Sequence, residues 1–164
     1  MIINCIAVDD EPAALALVTS YISQTPFLKL CAPFSNAIEA LQAIHADNGI
    51  KLVFLDIRMA DLNGVELARI IEQSDKKRQL RIIFTTAYDQ YALEGFKVNA
   101  LDYLVKPFNF VDFSKAASKA YDYFIMLENG QQTSGERNES QADTKPYIYV
   151  KVEHQLVKID IDNI

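Results

Sequence analysis

Short apolar runs alternate with longer amphipathic stretches along most of the chain. The runs are rich in Ile, Val, Leu and Phe and lie at 2–8, 28–34, 52–55, 82–86 and 102–105. Strands that are apolar over their whole length and alternate with helices are typical of a parallel sheet covered on both faces, so the pattern predicts an α/β fold. The spacing of apolar residues between the runs predicts five helices, at Pro12 to about Ser23, Ala37 to about Asp47, Val65 to about Gln73, Gln90 to about Phe96, and Phe110 to about Asn129.

Composition narrows the classes of protein that fit this pattern. The 164 residues are 50% hydrophobic, which suffices for one core and a little more, and the net charge of −6 argues against a broad nucleic-acid-binding surface. No apolar run is long enough to cross a bilayer, and the N-terminus lacks the pattern of a secretion signal, so we expect a cytoplasmic protein without membrane contact. Cys5 and Cys31 lie singly in apolar runs, which predicts buried reduced thiols. His45 and His154 are also isolated, and we expect both to be solvent-facing or structural.

Acidic side chains follow two of the predicted strands. Asp9 and Asp10 end the first run just before Pro12, and Asp56 ends the third. Right-handed crossovers bring these strand ends together at the edge where open parallel sheets bind ligands, so three carboxylates should converge. Their mutual repulsion would be relieved by a hard divalent cation, and Mg²⁺ binds a few carboxylates, a carbonyl and water. The alternative for the acidic pair alone is that one Asp caps the first helix.

A hydroxyl and a cation follow the fourth and fifth strands. Thr86, between Thr85 and the small Ala87, could donate to a phosphoryl oxygen, and Lys106 before Pro107 places an ammonium at the same rim. Taken alone, Thr86 is a common strand residue and Lys106 a common turn residue. The joint placement of all these groups, in order, predicts a metal and phosphate site.

These residues closely resemble the motif set of bacterial two-component response regulators, with a receiver domain at residues 1–127. That family has an acidic pair, a phosphoacceptor Asp, a Thr or Ser with a small neighbour, and a Lys-Pro, each after its own strand. It also has an aromatic switch residue three positions before the Lys, matched here by Tyr103. The resemblance implies a flavodoxin-like (βα)5 fold, with a parallel sheet of order 2-1-3-4-5 and helices on both faces. One departure is Ala60, where the family often has Pro; Gly64 is retained.

The resemblance also implies a chemistry. A sensor histidine kinase would donate a phosphoryl group to Asp56, with Mg²⁺ as the cofactor. The metal would be held by Asp10, Asp56 and the backbone carbonyl of Arg58, with Asp9 contributing through water. Such a protein is not an enzyme, apart from Mg²⁺-dependent self-phosphorylation and autodephosphorylation.

The same resemblance implies a switch. Thr86 and Lys106 would bind phosphoryl oxygens, and movement of Thr86 would let Tyr103 turn inward, which would change the face made by the fourth helix, fifth strand and fifth helix. We expect that face to form a homodimer on phosphorylation. The Lys106-Pro107 peptide bond is expected to be cis, as is usual in the family.

The second half of the chain indicates which kind of output domain the receiver would control. Residues 82–108 resemble receivers attached to LytTR-type DNA-binding domains, which regulate transcription. Residues 128–146 read as a flexible linker, and 147–164 alternate like two strands that open an incomplete LytTR-type domain. Promoter DNA would therefore be bound only through the full-length output domain.

Two other functions fit part of the pattern. A Mg²⁺-dependent aspartyl-phosphate phosphatase also uses an Asp after a strand, but it commonly has a second Asp two residues on, where this chain has Arg58, and it needs a cap insertion. A receiver that signals only by protein contacts, with the tail as an extra hairpin, is the other alternative.

Overall fold

The computed structural model describes residues 1–74, 79–87, 98 and 100–132, together with 147–152 and 155–160. The chain divides into two units, Met1–Asn129 and Gly130–Ile164. The strands of the first unit are β1 (Ile3–Val8), β2 (Leu28–Phe34), β3 (Leu52–Asp56), β4 (Arg81–Thr86) and β5 (Ala100–Val105). Its described helices are α1 (Pro12–Ser23), α2 (Ala37–Ala46), α3 (Gly64–Ser74) and α4 (Phe110–Gln132), which runs on into the second unit. The helix α4 is the fifth of the predicted helices, because the fourth, Gln90 to about Phe96, lies outside the described residues.

The five strands form one parallel sheet of order β2-β1-β3-β4-β5, which confirms the predicted fold class and strand order. The order reverses between β1 and β3, which pair from Cys5 with Leu52 to Val8 with Leu55. The carboxyl ends of β1 and β3 are therefore neighbours. This point is where ligands bind in open α/β sheets.

Both faces of the sheet are buried, and β3 shows how alternate residues serve the two sides. Val53 and Leu55 pack in one core, with α2 and α3, whereas Leu52 and Phe54 pack in the other, with α1 and α4. The second core also takes residues from two helices, and its buried helical residues are Val18 and Ile22 of α1 and Phe113, Ala116, Ala117, Ala120 and Phe124 of α4.

Asparagine caps start three helices soon after strands end. Asn36 accepts a hydrogen bond from the backbone N–H of Glu39 at the start of α2. Asn63 with Glu66 and Asn109 with Asp112 form reciprocal capping boxes at the starts of α3 and α4. These caps fix where the loops beside the sheet edge end.

The helix α1 starts differently, and its start excludes the capping role considered for the acidic pair. Its N-cap residue is Glu11, which makes no side-chain cap, and Pro12 follows as the first helical residue. Asp9 instead accepts the N–H of Glu11, at 2.9 Å. Neither Asp9 nor Asp10 is the N-cap residue of α1.

Two local expectations were wrong. Cys31 is exposed, although Cys5 is buried, because β2 is the edge of the sheet and its residues alternate between covered and exposed positions. The last helix continues to Gln132, past the predicted end at Asn129, so residues 128–132 of the predicted linker are helical. Polar residues need no apolar partner to extend the end of a helix, and Gln is a good helix former. The rest of that linker lies outside the described residues.

The described part of the second unit is an antiparallel hairpin. The strands β6 (Tyr147–Val152) and β7 (Gln155–Asp160) pair from Tyr147 with Asp160 to Val152 with Gln155. Two strands are therefore present where the alternation predicted them. Among the helices described in the whole chain, none has the length and apolarity to cross a membrane.

Candidate metal centre

Three carboxylates meet at the carboxyl ends of β1 and β3. Asp9 and Asp10 follow β1, Asp56 ends β3, and one oxygen from each lies within 4.8 Å of the others. The predicted convergence is thus present in the structure. The cluster offers hard oxygen ligands only, which is the chemistry that Mg²⁺ prefers, so the residues present fit this ion.

Asp9 is fixed by the protein through both of its oxygens. One accepts the backbone N–H of Glu11, and the other accepts the ammonium of Lys106 at 2.7 Å. The side chain is almost fully buried, with 2% of Asp9 exposed. A buried carboxylate needs such partners, because an unpaired charge away from water is strongly disfavoured.

Asp56 is buried beside other negative charges. Burial, followed by the charge of Asp9, raises the pKa of its carboxyl from 3.8 to about 6, although the Lys106 ammonium at 3.5 Å acts in the opposite direction. Asp10 adds a smaller effect that also raises the pKa. A cation at this site would relieve these repulsions, since opposite charge favours the ionised carboxylate.

Lys106 connects β5 to the carboxylates. Its backbone N–H donates to the carbonyl of Thr86 at 2.6 Å, and its peptide bond with Pro107 is cis. Burial lowers the pKa of Lys106, but hydrogen bonding to Asp9 and the charges of Asp56 and Asp9 more than offset this, so the pKa is raised. The ammonium therefore stays charged next to both carboxylates.

Gly64 lies against the backbone of Asp56. A Cβ placed on Gly64 would come within 2.2 Å of the Asp56 carbonyl oxygen and 3.0 Å of Cα of Ile57. The Gly64 N–H donates to the carbonyl of Ile57 at 2.9 Å. The first residue of α3 thus holds the loop that follows Asp56, and only glycine leaves room for this approach.

Asp10 and Arg58 form the outer part of the site. Both are exposed and border an open cavity of about 400 Å³, whose other lining residues are Ile57, Met59, Ala60, Asn63 and Val65. The cavity reaches the loop after Asp56, which includes Ala60 in place of the family's Pro. A ligand larger than a single ion has space there.

Thr86 and Tyr103 lie on the adjacent strands β4 and β5. Thr86 is buried at the end of β4, with 1% exposed. Tyr103 stacks on Phe84, with ring centroids 5.5 Å apart, and its hydroxyl is buried without a hydrogen-bond partner among the described residues. Burial raises the pKa of that hydroxyl.

The structure brings Asp9, Asp10, Asp56 and Lys106 together, whereas His45 is exposed at the end of α2. His154 lies outside the described residues. The close approach of Gly64 to the backbone of Asp56 was not predicted from the sequence. The sequence Asn-Gly-x-Glu at 63–66 is nevertheless recognisable as the start of a helix. Only three-dimensional packing shows that this start lies on the carbonyl of Asp56.

Comparison with known proteins places this geometry in one family. Residues 5–118 match the model of the response regulator receiver domain. The LytT sensory transduction protein of Enterococcus faecalis is 38% identical over 117 residues, which cover 71% of this chain and 47% of that protein. The LytR transcriptional regulatory protein of Staphylococcus aureus is 34% identical over 116 residues, 71% of this chain and 46% of that protein. The chain spans about half the length of the curated relatives it matches.

Solved structures share the fold. The response regulatory domain of protein mrkE from Klebsiella pneumoniae has 26% identity and a TM-score of 0.69, covering 76% of this chain and 99% of that chain. The response regulator TrrA from Thermotoga maritima, solved in complex with Mg²⁺-BeF, has 31% identity and a TM-score of 0.62, covering 73% of this chain and 99% of that chain.

Proposed function

The chain belongs to the response regulator receiver domain family of two-component systems, and we propose that it accepts a phosphoryl group on Asp56 from a histidine kinase. One observation carries this proposal. The Lys106 ammonium lies 2.7 Å from Asp9 and 3.5 Å from Asp56, beside a cluster of three carboxylates. A carboxylate, a cation and an oxygen-rich metal site at one edge are the groups that phosphoryl transfer to a carboxylate requires.

The transfer is a nucleophilic substitution at phosphorus. A carboxylate oxygen of Asp56 forms the new O–P bond, the P–N bond to the donor imidazole breaks, and the bonding pair leaves with the imidazole nitrogen. Lys106 neutralises charge on the phosphoryl oxygens, and the Thr86 hydroxyl donates a hydrogen bond to one of them.

The metal site fits the outer part of this arrangement. Asp10, Asp56 and the carbonyl of Arg58 would hold Mg²⁺, with Asp9 contributing through water. Asp9 has both oxygens engaged by protein donors, which is consistent with an indirect role. When bound, the ion supplies positive charge that offsets the charge developing on the phosphoryl oxygens.

Switching would start at Thr86. A shift of Thr86 toward a phosphoryl oxygen changes the space beside Tyr103, on the adjacent strand. The hydroxyl of Tyr103 is buried and has no hydrogen-bond partner among the residues that the structure describes, so a turn of this side chain would break no hydrogen bond within that part of the chain. The affected surface would include β5, α4 and the predicted fourth helix with Tyr91 and Phe96, which lies outside the described residues.

The output would be transcriptional regulation. Relatives named LytT and LytR support this, and promoter DNA would be bound through a full-length output domain that begins with the hairpin at 147–160. A homodimer formed on phosphorylation would match paired half-sites on DNA. The alternative of signalling by protein contacts alone uses the same receiver chemistry, and Arg58 at the second position after Asp56 counts against a phosphatase.

Mass spectrometry tests the acceptor. With Mg²⁺ and phosphoramidate the chain should gain one phosphoryl group, and Asp56→Asn should not. The matched control is Asp61→Asn, which removes an exposed carboxylate from the same loop and should label like the parent. Undiminished labelling of Asp56→Asn would show that the acceptor lies elsewhere.

Sedimentation tests the output. We expect the mass measured by analytical ultracentrifugation to double when beryllofluoride and Mg²⁺ are added, and not with Asp56→Asn. An unchanged mass would contradict the dimer switch. Specific, salt-sensitive binding of promoter DNA by these residues alone would contradict the need for further output residues.

A further inference from the structure

A cluster of aromatic rings connects α1 to β3 and to the segment that follows Lys106. Tyr21, in the last turn of α1, lies 6.3 Å from Phe108, 5.5 Å from Phe110 and 5.5 Å from Phe113, measured between ring centroids. Phe113 in turn stacks on Phe54 at 4.9 Å. We call these five residues the aromatic cluster.

Two members of the cluster lie close in sequence to residues of the site. Phe108 is two residues after Lys106, and Phe54 is two residues before Asp56. The helix α1, which carries Tyr21, begins three residues after Asp9. The cluster therefore connects three segments, each of which adjoins one of the site residues Asp9, Asp56 and Lys106.

Tyr21 itself does not reach the reacting groups. At 1.5 Å per residue it lies about 14 Å along α1 from Pro12. Its three ring contacts all fall on the segment that leaves Lys106, where Phe108 is buried and Phe113 fully so. Such edge and tilted contacts between aromatic rings have a preferred geometry and contribute to stability beyond their buried area.

We propose that Tyr21 is a positioning residue, whose ring contacts with Phe108, Phe110 and Phe113 hold the 106–108 loop so that Lys106 faces both Asp9 and Asp56. Its effect on phosphorylation rests on the proposed function, but its effect on the loop does not. The backbone N–H of Lys106 donates a hydrogen bond to the carbonyl of Thr86 at 2.6 Å. The rate at which this N–H exchanges with solvent therefore measures how firmly the loop is held.

Tyr121 provides a matched control. It is another partly buried tyrosine that packs against the same core, and its ring contacts Phe27 at 4.8 Å. Phe27 lies just before β2, at the amino ends of the parallel strands, whereas the site lies at their carboxyl ends. Tyr21→Leu and Tyr121→Leu therefore remove equal side chains from the same core, and only the first should loosen the Lys106 loop.

The experiment measures two quantities in the full chain. In Tyr21→Leu the Lys106 amide should exchange with deuterium faster than in Tyr121→Leu, and phosphorylation by phosphoramidate should slow roughly ten- to a hundredfold, the range for misplaced reacting groups. The slowing should appear at saturating phosphoramidate. Tyr21→Phe keeps the ring and should restore both values.

Several outcomes would overturn the proposal. These are parent-like exchange and rate in Tyr21→Leu, equal losses in Tyr121→Leu, or failure of Tyr21→Phe to restore the parent values. If Tyr21→Leu does not fold, Tyr21→Met removes the ring with less loss of volume and is judged by the same measurements. If the parent chain is not phosphorylated, the proposed function fails, and amide exchange at Lys106 still tests the loop.

Discussion

The candidate site has two parts that differ in how they are held. The inner wall, Asp9, Asp56 and Lys106, is buried or partly buried and joined by hydrogen bonds, whereas the outer rim, Asp10 and Arg58, is exposed beside an open cavity. The protein sets the positions of the inner charges before any ligand arrives. The rim borders open space, so Asp9 and Asp10, adjacent in sequence, lie in different environments.

The largest effect should come from moving the backbone of the inner wall. Gly64→Ala puts a methyl group 2.2 Å from the Asp56 carbonyl oxygen, and no flexible side chain can yield there. We expect a loss of more than about 3 kcal/mol of unfolding free energy, at the upper end of overpacking, measured by urea denaturation. Phosphorylation of Asp56 should fall as well.

Gly130→Ala is the control for that substitution. A Cβ at Gly130 meets nothing within 4 Å, and the residue is helical, so alanine should add about 0.5–1 kcal/mol of stability. Equal stability losses in both variants would show that the contact between Gly64 and Asp56 is not what constrains the loop.

The next largest effect should be the pH dependence of the unfolding free energy that Asp56 of the inner wall contributes. The pKa of Asp56 is raised from 3.8 to about 6, so without metal the folded state holds a proton that the unfolded state has lost between these values. Stability should therefore fall as pH rises from about 4 to 6, by up to about 3 kcal/mol from this group at 1.36 kcal/mol per pKa unit.

Urea denaturation in the presence of a chelator checks this prediction. Asp56→Asn should lack the fall, so the difference in stability between variant and parent should grow across that range and then level off. A difference that is constant with pH would mean that the pKa of Asp56 is not raised in the folded protein.

A smaller effect is expected at the outer rim. Asp10→Asn should weaken Mg²⁺ binding roughly tenfold, or about 1.4 kcal/mol, because the ion relies on few carboxylates. Calorimetric titration measures this affinity, and Glu11→Gln, which removes the next exposed carboxylate, should bind as the parent does.

The smallest expected change is in the stability of the same rim variant without metal. Removing one of three neighbouring negative charges should raise the melting temperature of Asp10→Asn slightly. A lower melting temperature would instead show that Asp10 supports the fold, which would blur the distinction between wall and rim.

Apolar patterning alone determined most of the fold. The runs from 2–8 to 102–105 became the five parallel strands within two residues of their predicted ends. The clearest of them are β1, β3 and β4, because a strand buried on both faces must be apolar along almost its whole length. Residue order also predicted that the strand ends carrying Asp9, Asp10 and Asp56 converge, since crossover connections have a fixed hand. The strand order itself came from family resemblance.

Tertiary structure decided the features that depend on distances between side chains rather than on the order of residues in the chain. The sequence alone does not distinguish Asp9 from Asp10. In the structure Asp9 is buried and accepts a hydrogen bond from Lys106, whereas Asp10 is exposed. Cys31 is exposed because β2 forms the sheet edge, and Gly64 and Tyr21 gain their contacts only when α3 and α1 pack against the sheet. Hydrophobic periodicity specifies which face is buried, but the pairing of side chains across elements is set by packing, which no local pattern encodes.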